Sequence, residues 1–219
     1  MQCTCYTKVW RGLACFVFGY ASTSRWNSVN STLFSYFALH LKIMKKIKLY
    51  IAASIDGYIA RSDGDLDWLT KYPINSDTNY GYDDFYKPVD IVIMGGKTYR
   101  DILNMDFVWP YKDKTTYVIT HNPMGTNENV HFITENVVEE ISKLRIGNGK
   151  DIWLVGGGQL ITILLNQDMV DEMTITTIPI LLGNGIPLFP DNPKESQWEL
   201  QNSMSYKNGV VQTKYKIKV

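Results

Sequence analysis

Beyond residue 15 the chain contains no cysteine, since Cys3, Cys5 and Cys15 are all it has. The rest of the sequence can form no disulfide and is suited to a reducing compartment such as the cytoplasm. Histidine is also scarce: His40, His121 and His131 are dispersed, so the clustered His and Cys of a zinc site are missing and no metal is expected. A serine or cysteine nucleophile has no candidate either, because no Gly-x-Ser-x-Gly elbow occurs. Net charge is absent: 22 basic residues balance 22 acidic ones, leaving no field to draw nucleic acid or an anionic membrane. No apolar run approaches the roughly 20 residues of a membrane-spanning helix. There is no internal repeat and no low-complexity linker.

Acidic residues are missing from one stretch in particular. Residues 1–43 carry Lys8, Arg11, Arg25 and Lys42 but no Asp or Glu, and they show neither a helical nor an alternating period. They abut Met44-Lys45-Lys46-Ile47, which reads as a natural start followed by a first strand. The expectation is an N-terminal extension over 1–43, disordered or upstream of the true start. The alternative is a signal peptide, with Lys8 and Arg11 as its basic end, Leu13 to Tyr20 as its apolar centre and Ala21 near a cleavage point. Residues 44–219 are expected to form a single domain, since a chain of 219 residues with 45% apolar and 20% charged content can bury one full core.

What the domain does have is a repeated device. Ile152-Trp-Leu-Val155 is an apolar run suited to a strand buried on both faces; three glycines, Gly156, Gly157 and Gly158, follow it, and Leu160, Ile161, Leu164 and Leu165 then recur at helical spacing. A helix start points unpaired N–H groups at the preceding turn, and glycine lets a ligand approach those amides closely, an arrangement that favours phosphate. The bland alternative is a turn that only makes room for packing. A second copy follows Asp90-Ile-Val-Ile-Met94, with Gly95-Gly96 as the turn and Lys97 to Leu103 as the helix opening. Two phosphate-sized cradles imply a two-part ligand held at the carboxyl ends of neighbouring strands, as a dinucleotide would be. The Gly-x-Gly-x-x-Gly fingerprint nevertheless fails, because position 161 is Ile.

Further strands are predicted at 48–53, continuing through a kink at Gly57 to Ala60, and at 115–120, 130–133 and 172–178; helices are predicted at 82–86 and 136–144. The alternation implies a mainly parallel sheet with helices on both faces. Two late strands around Asn208-Gly209 carry a hairpin signal, so the sheet should finish antiparallel. Residues 61–79 form the most loop-like stretch, and a loop of that length is more often functional than idle.

Four segments, Ser54-Ile-Asp-Gly-Tyr-Ile-Ala60, Met94-Gly-Gly-Lys-Thr-Tyr99, Val155-Gly-Gly-Gly-Gln-Leu160 and Asp171 to Phe189, together resemble the dihydrofolate-reductase-like reductases, in particular the reductase domain of the bacterial bifunctional deaminase-reductase of riboflavin synthesis and its stand-alone relatives. The resemblance implies an α/β, three-layer fold with a central mixed sheet and NADPH lying between the two glycine turns. Gly95, Gly96, Lys97 and Thr98 match the turn for the adenosine-side phosphates and Thr120 the strand end beside the adenine. Gly156, Gly157, Gly158, Gln159 and Leu160 match the pyrophosphate turn, while Ala53 and Ile59 lie where the nicotinamide pocket is formed. Asp56 matches the acid of the family's Ser-x-Asp-Gly motif, with a turn-forming aspartate as the alternative. The acid that protonates the substrate should lie near Asp83 and Asp84, either of which could instead cap its helix.

Two departures bear on specificity. The family usually has Arg at the position of Gly96, so NADH is also possible. Lys97 is then the only positive side chain the local sequence offers to a 2′-phosphate. Gly96→Arg should tighten NADPH, unless Gly96 is needed for a backbone conformation closed to Arg, in which case both cofactors weaken. Folate reductases carry an arginine for the substrate's carboxylate ahead of the strand matching 115–120, and between Asp101 and Thr115 there is none, so the resemblance disfavours dihydrofolate as substrate. The resulting expectation is an NAD(P)H-dependent, cytoplasmic, homodimeric reductase of a small pyrimidine- or pterin-like heterocycle. The alternatives are a ligand-binding protein on the same fold and dihydrofolate reductase itself.

Overall fold

A computed structural model describes residues 44–74, 78–105, 108–125 and 128–218. The extension or leader expected over 1–43 lies outside the described residues. Strand and helix alternate as the apolar periods predict. β1 (Ile47–Ser54) and β2 (Tyr58–Ala60) lead through a 3₁₀ turn (Asp67–Leu69) to α1 (Tyr82–Tyr86), β3 (Val89–Gly95) and α2 (Gly96–Leu103). β4 (Thr115–Ile119), β5 (Val130–Ile133), α3 (Val137–Arg145), β6 (Asp151–Gly156) and α4 (Gly158–Asn166) follow. The chain ends in β7 (Glu172–Ile178), β8 (Ile186–Pro187), β9 (Trp198–Ser205) and β10 (Val211–Ile217).

The eight-stranded sheet runs β5-β4-β3-β6-β1-β7-β10-β9. β5 through β7 pair in parallel, and β10 is antiparallel to both β7 and β9. The apolar strands are therefore the central, two-sided ones, as a parallel sheet covered on both faces requires. The Asn208-Gly209 hairpin forms as predicted, with Gly209 at φ 85° and its N–H bonded to the Tyr206 carbonyl at 3.0 Å. One expectation is corrected. The first strand does not continue through Gly57 in the main sheet; a turn closes there, with Gly57 at φ 80°, and β2 pairs with β8 in a separate two-stranded sheet.

Strand parity assigns the layers. Ile47, Leu49 and Ala53 of β1 join Ile141 of α3 and Ile161 and Leu164 of α4 in one core. Tyr50 packs on the opposite face with Phe85, Trp153 and Tyr99, under α1 and α2. Ala52 shares that face but lies beneath the loop aromatics Trp68, Tyr72 and Tyr80. Ile161 and Leu164 are fully buried, and each such side chain contributes about 1.5–3 kcal/mol by leaving water. That burial fixes α4, and with it the glycine turn at its start.

Candidate functional site

β3 and β6 are neighbours, so their carboxyl ends bring the two glycine turns together. A Cβ built on Gly95 would have the Gly156 carbonyl at 3.9 Å and the Gly157 nitrogen at 4.0 Å as its nearest neighbours, so the two turns lie within van der Waals reach of each other. A hydrogen bond ties them: the Gly157 N–H donates to Thr98 Oγ1 at 3.1 Å.

Both turns open straight into a helix. Gly95 and Gly157 are the N-cap residues of α2 and α4, neither helix has a side-chain cap, and neither has an acidic residue in its first turn. The other two helices, by contrast, carry Asp83 and Asp84 or Glu139 and Glu140 there. An acid in the first turn neutralises the partial positive charge of a helix start. The helices beside the glycine turns keep that charge, and with it free N–H donors for an anion.

The individual glycines serve different purposes. Gly156 needs its φ of 138°, a conformation that side chains disfavour. Gly158 has a packing reason to be glycine: a Cβ there would meet the Pro187 carbonyl at 2.6 Å and Pro190 Cδ at 2.8 Å. Glycine at 158 thus lets the 187–190 segment pack against the start of α4. Leu160 likewise faces the core at 4% exposure and offers its backbone alone, whereas Gln159 is exposed at the helix start.

Gly96 is closed to a side chain for want of space. Its notional Cβ would lie 2.6 Å from Thr120 Oγ1 and 2.7 Å from Thr120 Cβ, and Thr120 Oγ1 is itself fixed by the Asn122 N–H at 3.2 Å. Two positive side chains stand near this turn. Lys97 leans toward Gly64 and pairs with Asp101 at 2.9 Å. The guanidinium of Arg100, one helical turn on, stands 3.3 Å from the notional Gly96 Cβ. The i+4 spacing from Gly96 is the signal in the sequence that could have found it.

Asp56 stands at the end of β1 as an acceptor for three donors. Ser54 Oγ donates to it at 2.6 Å, and the backbone N–H groups of Leu182 and Gly183 donate at 3.1 and 2.7 Å. The Ser54 hydroxyl foremost, aided by those amides, holds the carboxyl below its usual range, so it stays ionised near neutral pH. These bonds are those of a turn-forming aspartate, the alternative to a substrate role: Asp56 clamps the 181–185 loop to β1. Ala53 is 3% exposed and turned into the core, so Ala52 is the alanine on the opposite face. Ile59 packs half-buried against the same core as Ala53.

Asp84 is exposed on α1 and borders a cavity of about 250 Å³ lined by Lys48, Tyr50, Glu172, Gln212 and Lys214. Most of this cavity lies toward the amino-terminal ends of β1 and β7. Lys48 and Ala53 are separated by roughly 16 Å of strand, so the structure does not bring Asp84 to the glycine turns. Asp83 bonds Asn79 Nδ2 at 2.8 Å ahead of the helix. No cluster of three metal-ligating side chains occurs among the described residues, and no helix there is long and apolar enough to cross a membrane.

This is the fold of the dihydrofolate-reductase-like proteins. Dihydrofolate reductase from Enterococcus faecalis, in a complex with NADP(H), superposes with a TM-score of 0.56 at 18% identity, over 80% of this chain and 97% of that one. Within that class the chain belongs to the RibD C-terminal domain family, whose sequence pattern matches residues 88–212. The uncharacterized Bacillus subtilis (strain 168) protein YwjB is 40% identical over 167 residues, which is 76% of this chain and 95% of that protein. A crystal structure from Shewanella sp. PV-4, provisionally assigned to riboflavin biosynthesis, matches with a TM-score of 0.71 at 31% identity, over 80% of this chain and 99% of that one.

Proposed function

We propose that residues 44–219 form a cytoplasmic NADPH-dependent oxidoreductase that transfers hydride to a small pyrimidine- or pterin-like heterocycle. The observation that carries this reading is the pair of adjacent helix starts, uncapped and free of acid, joined by the Thr98–Gly157 hydrogen bond. Membership of the RibD C-terminal domain family supports it, and so does the shared fold with an NADP(H)-bound reductase.

When bound, NADPH would supply the hydride; the protein supplies placement and exclusion of water. The backbone amides at the starts of α2 and α4 hold the phosphates, and Thr98 keeps the two turns in register. Trp68 and Tyr80 are buried over Ala52, with Tyr72 beside them, and keep water from that face of β1. The Trp68 indole N–H is buried without an acceptor among the described residues.

Titration of the purified protein with NADPH should give saturable binding. Assays against aminouracil ribose compounds, pterins and dihydrofolate should then show NADPH oxidation with one of the first two classes. Binding without turnover on any of them would favour a ligand-binding protein, and failure to bind NADPH or NADH would sink the reading.

The oligomer proposed is a homodimer formed through β9, an edge strand with Leu200 and Met204 about half exposed. Light scattering at micromolar concentration should give about twice the 25.1 kDa chain mass; the monomer mass would refute it.

A further inference from the structure

The dinucleotide reading of the two turns leaves open what would tell NADPH from NADH, because the usual arginine position is Gly96 and has no room for a side chain. A discriminating group has to be positive, close to the turn, and not already neutralised by a carboxylate. Lys97 fails on the last count, since its ammonium is paired with Asp101. Arg100 meets all three requirements. Its side chain runs back along α2 toward the helix start, as long helical side chains do. Its Nη1 and Thr120 Oγ1 both border the place a Cβ at Gly96 would take, and no carboxylate pairs with the guanidinium among the described residues. The guanidinium is half-buried, so a phosphate reaching it is partly shielded from water.

We infer that Arg100, together with the Thr120 hydroxyl and the bare helix start at Gly96, forms the subsite for the 2′-phosphate of NADPH and sets the preference for NADPH over NADH. The arginine is thus displaced by one helical turn from its usual place, and the glycine at 96 leaves space for its guanidinium. A planar guanidinium donates two parallel hydrogen bonds to a phosphate, which a lysine cannot copy. The inference rests on the proposed reductase function, since it presupposes that a nicotinamide dinucleotide occupies the turns.

The test is a set of dissociation constants for NADPH, NADH and 2′,5′-ADP, measured by calorimetry on the wild-type chain and on Arg100→Gln, Arg100→Lys and Lys97→Ala. Loss of one charge-assisted contact corresponds to about a 10- to 100-fold change in affinity. Arg100→Gln is expected to weaken NADPH and 2′,5′-ADP by that factor and NADH by less than about twofold. Arg100→Lys should fall between wild type and Arg100→Gln, and Lys97→Ala should weaken NADPH less than Arg100→Gln does. Equal weakening of both dinucleotides by Arg100→Gln, or a larger effect of Lys97→Ala, overturns the inference while leaving the dinucleotide reading in place. A wild-type chain that binds NADH as tightly as NADPH overturns it as well. A wild-type chain that binds neither removes the reductase reading itself. An unchanged unfolding midpoint in Arg100→Gln separates lost contact from lost fold.

Discussion

Gly96→Arg should weaken NADPH and NADH together and lower the midpoint of thermal unfolding. Any side chain at 96 begins with a Cβ that would sit 2.6 Å from Thr120 Oγ1 and 2.7 Å from Thr120 Cβ. Thr120 is short, β-branched and tied to Asn122, so it has no flexible end that can swing away. Relief has to come from the end of β4 or from the start of α2. Overpacking of this kind costs about 1–3 kcal/mol. A domain of this size loses roughly 2–4 °C per kcal/mol, so a fall of about 2–12 °C is expected. Because α2 begins at residue 96, the same shift moves the amides that would face phosphate and crowds Arg100. Gly96→Ala adds only the Cβ and should show the stability loss in smaller measure. Scanning calorimetry with both titrations checks this, and a tighter NADPH complex at an unchanged midpoint would show that the turn does have room.

The larger stability effect should come from Arg145→Ala. Arg145 ends α3 and reaches both oxygens of Asp171 at 2.9 Å, while its other nitrogens donate to the carbonyls of Lys45 and Met169 at 3.3 Å. Asp171 in turn accepts the Ile47 N–H at 2.7 Å. One ion pair thereby joins the end of α3 to the entries of β1 and β7. With side-chain exposures of 13% and 27% the pair is largely withdrawn from water. Removing one partner of a buried pair costs about 3–5 kcal/mol, and the unfolding midpoint should drop by roughly 6–20 °C.

The dependence on pH has a definite sign. Burial already pushes the Asp171 carboxyl above its usual range despite Arg145. Without the arginine it rises further, and the folded state then favours the protonated form. The penalty grows as pH climbs from the unfolded to the folded value, so the deficit of Arg145→Ala should shrink on acidification from neutral pH. Arg145→Met combined with Asp171→Leu should recover much of the loss. A midpoint within a degree of wild type for Arg145→Ala at neutral pH would refute the assignment.

Much of this architecture was legible because apolar runs and punctuation agree. Ile152 to Val155 and Ile91 to Met94 are continuous because both of their faces are covered, and Asn208-Gly209 sits at a tight hairpin. Both glycine turns were found from the chain alone. What the chain alone does not reveal shares a cause, which is direction in space. Which of Ala52 and Ala53 faces the loop aromatics depends on parity fixed by the whole sheet. The partners of Asp56 come from residues 182 and 183, more than 120 positions away. The prolines that press on Gly158, Pro187 and Pro190, arrive from beyond β7. Arg100 was hidden one helical turn past the turn it serves.

The strand order β3-β6-β1 also governs when the molecule can be made. β6 is inserted between two strands that precede it, pairing Ile47 with Ile152, so β1 and β3 have no direct contact to form while synthesis proceeds. β3, β4 and β5 can pair in turn from one contiguous segment, but β1 has to wait for residues 151–178 to supply both its neighbours. Such distant pairings delay folding and leave apolar edges bare meanwhile. Until α4 has left the ribosome, Leu49 and Ala53 remain uncovered, and that interval is where a nascent chain of this topology depends most on chaperone protection.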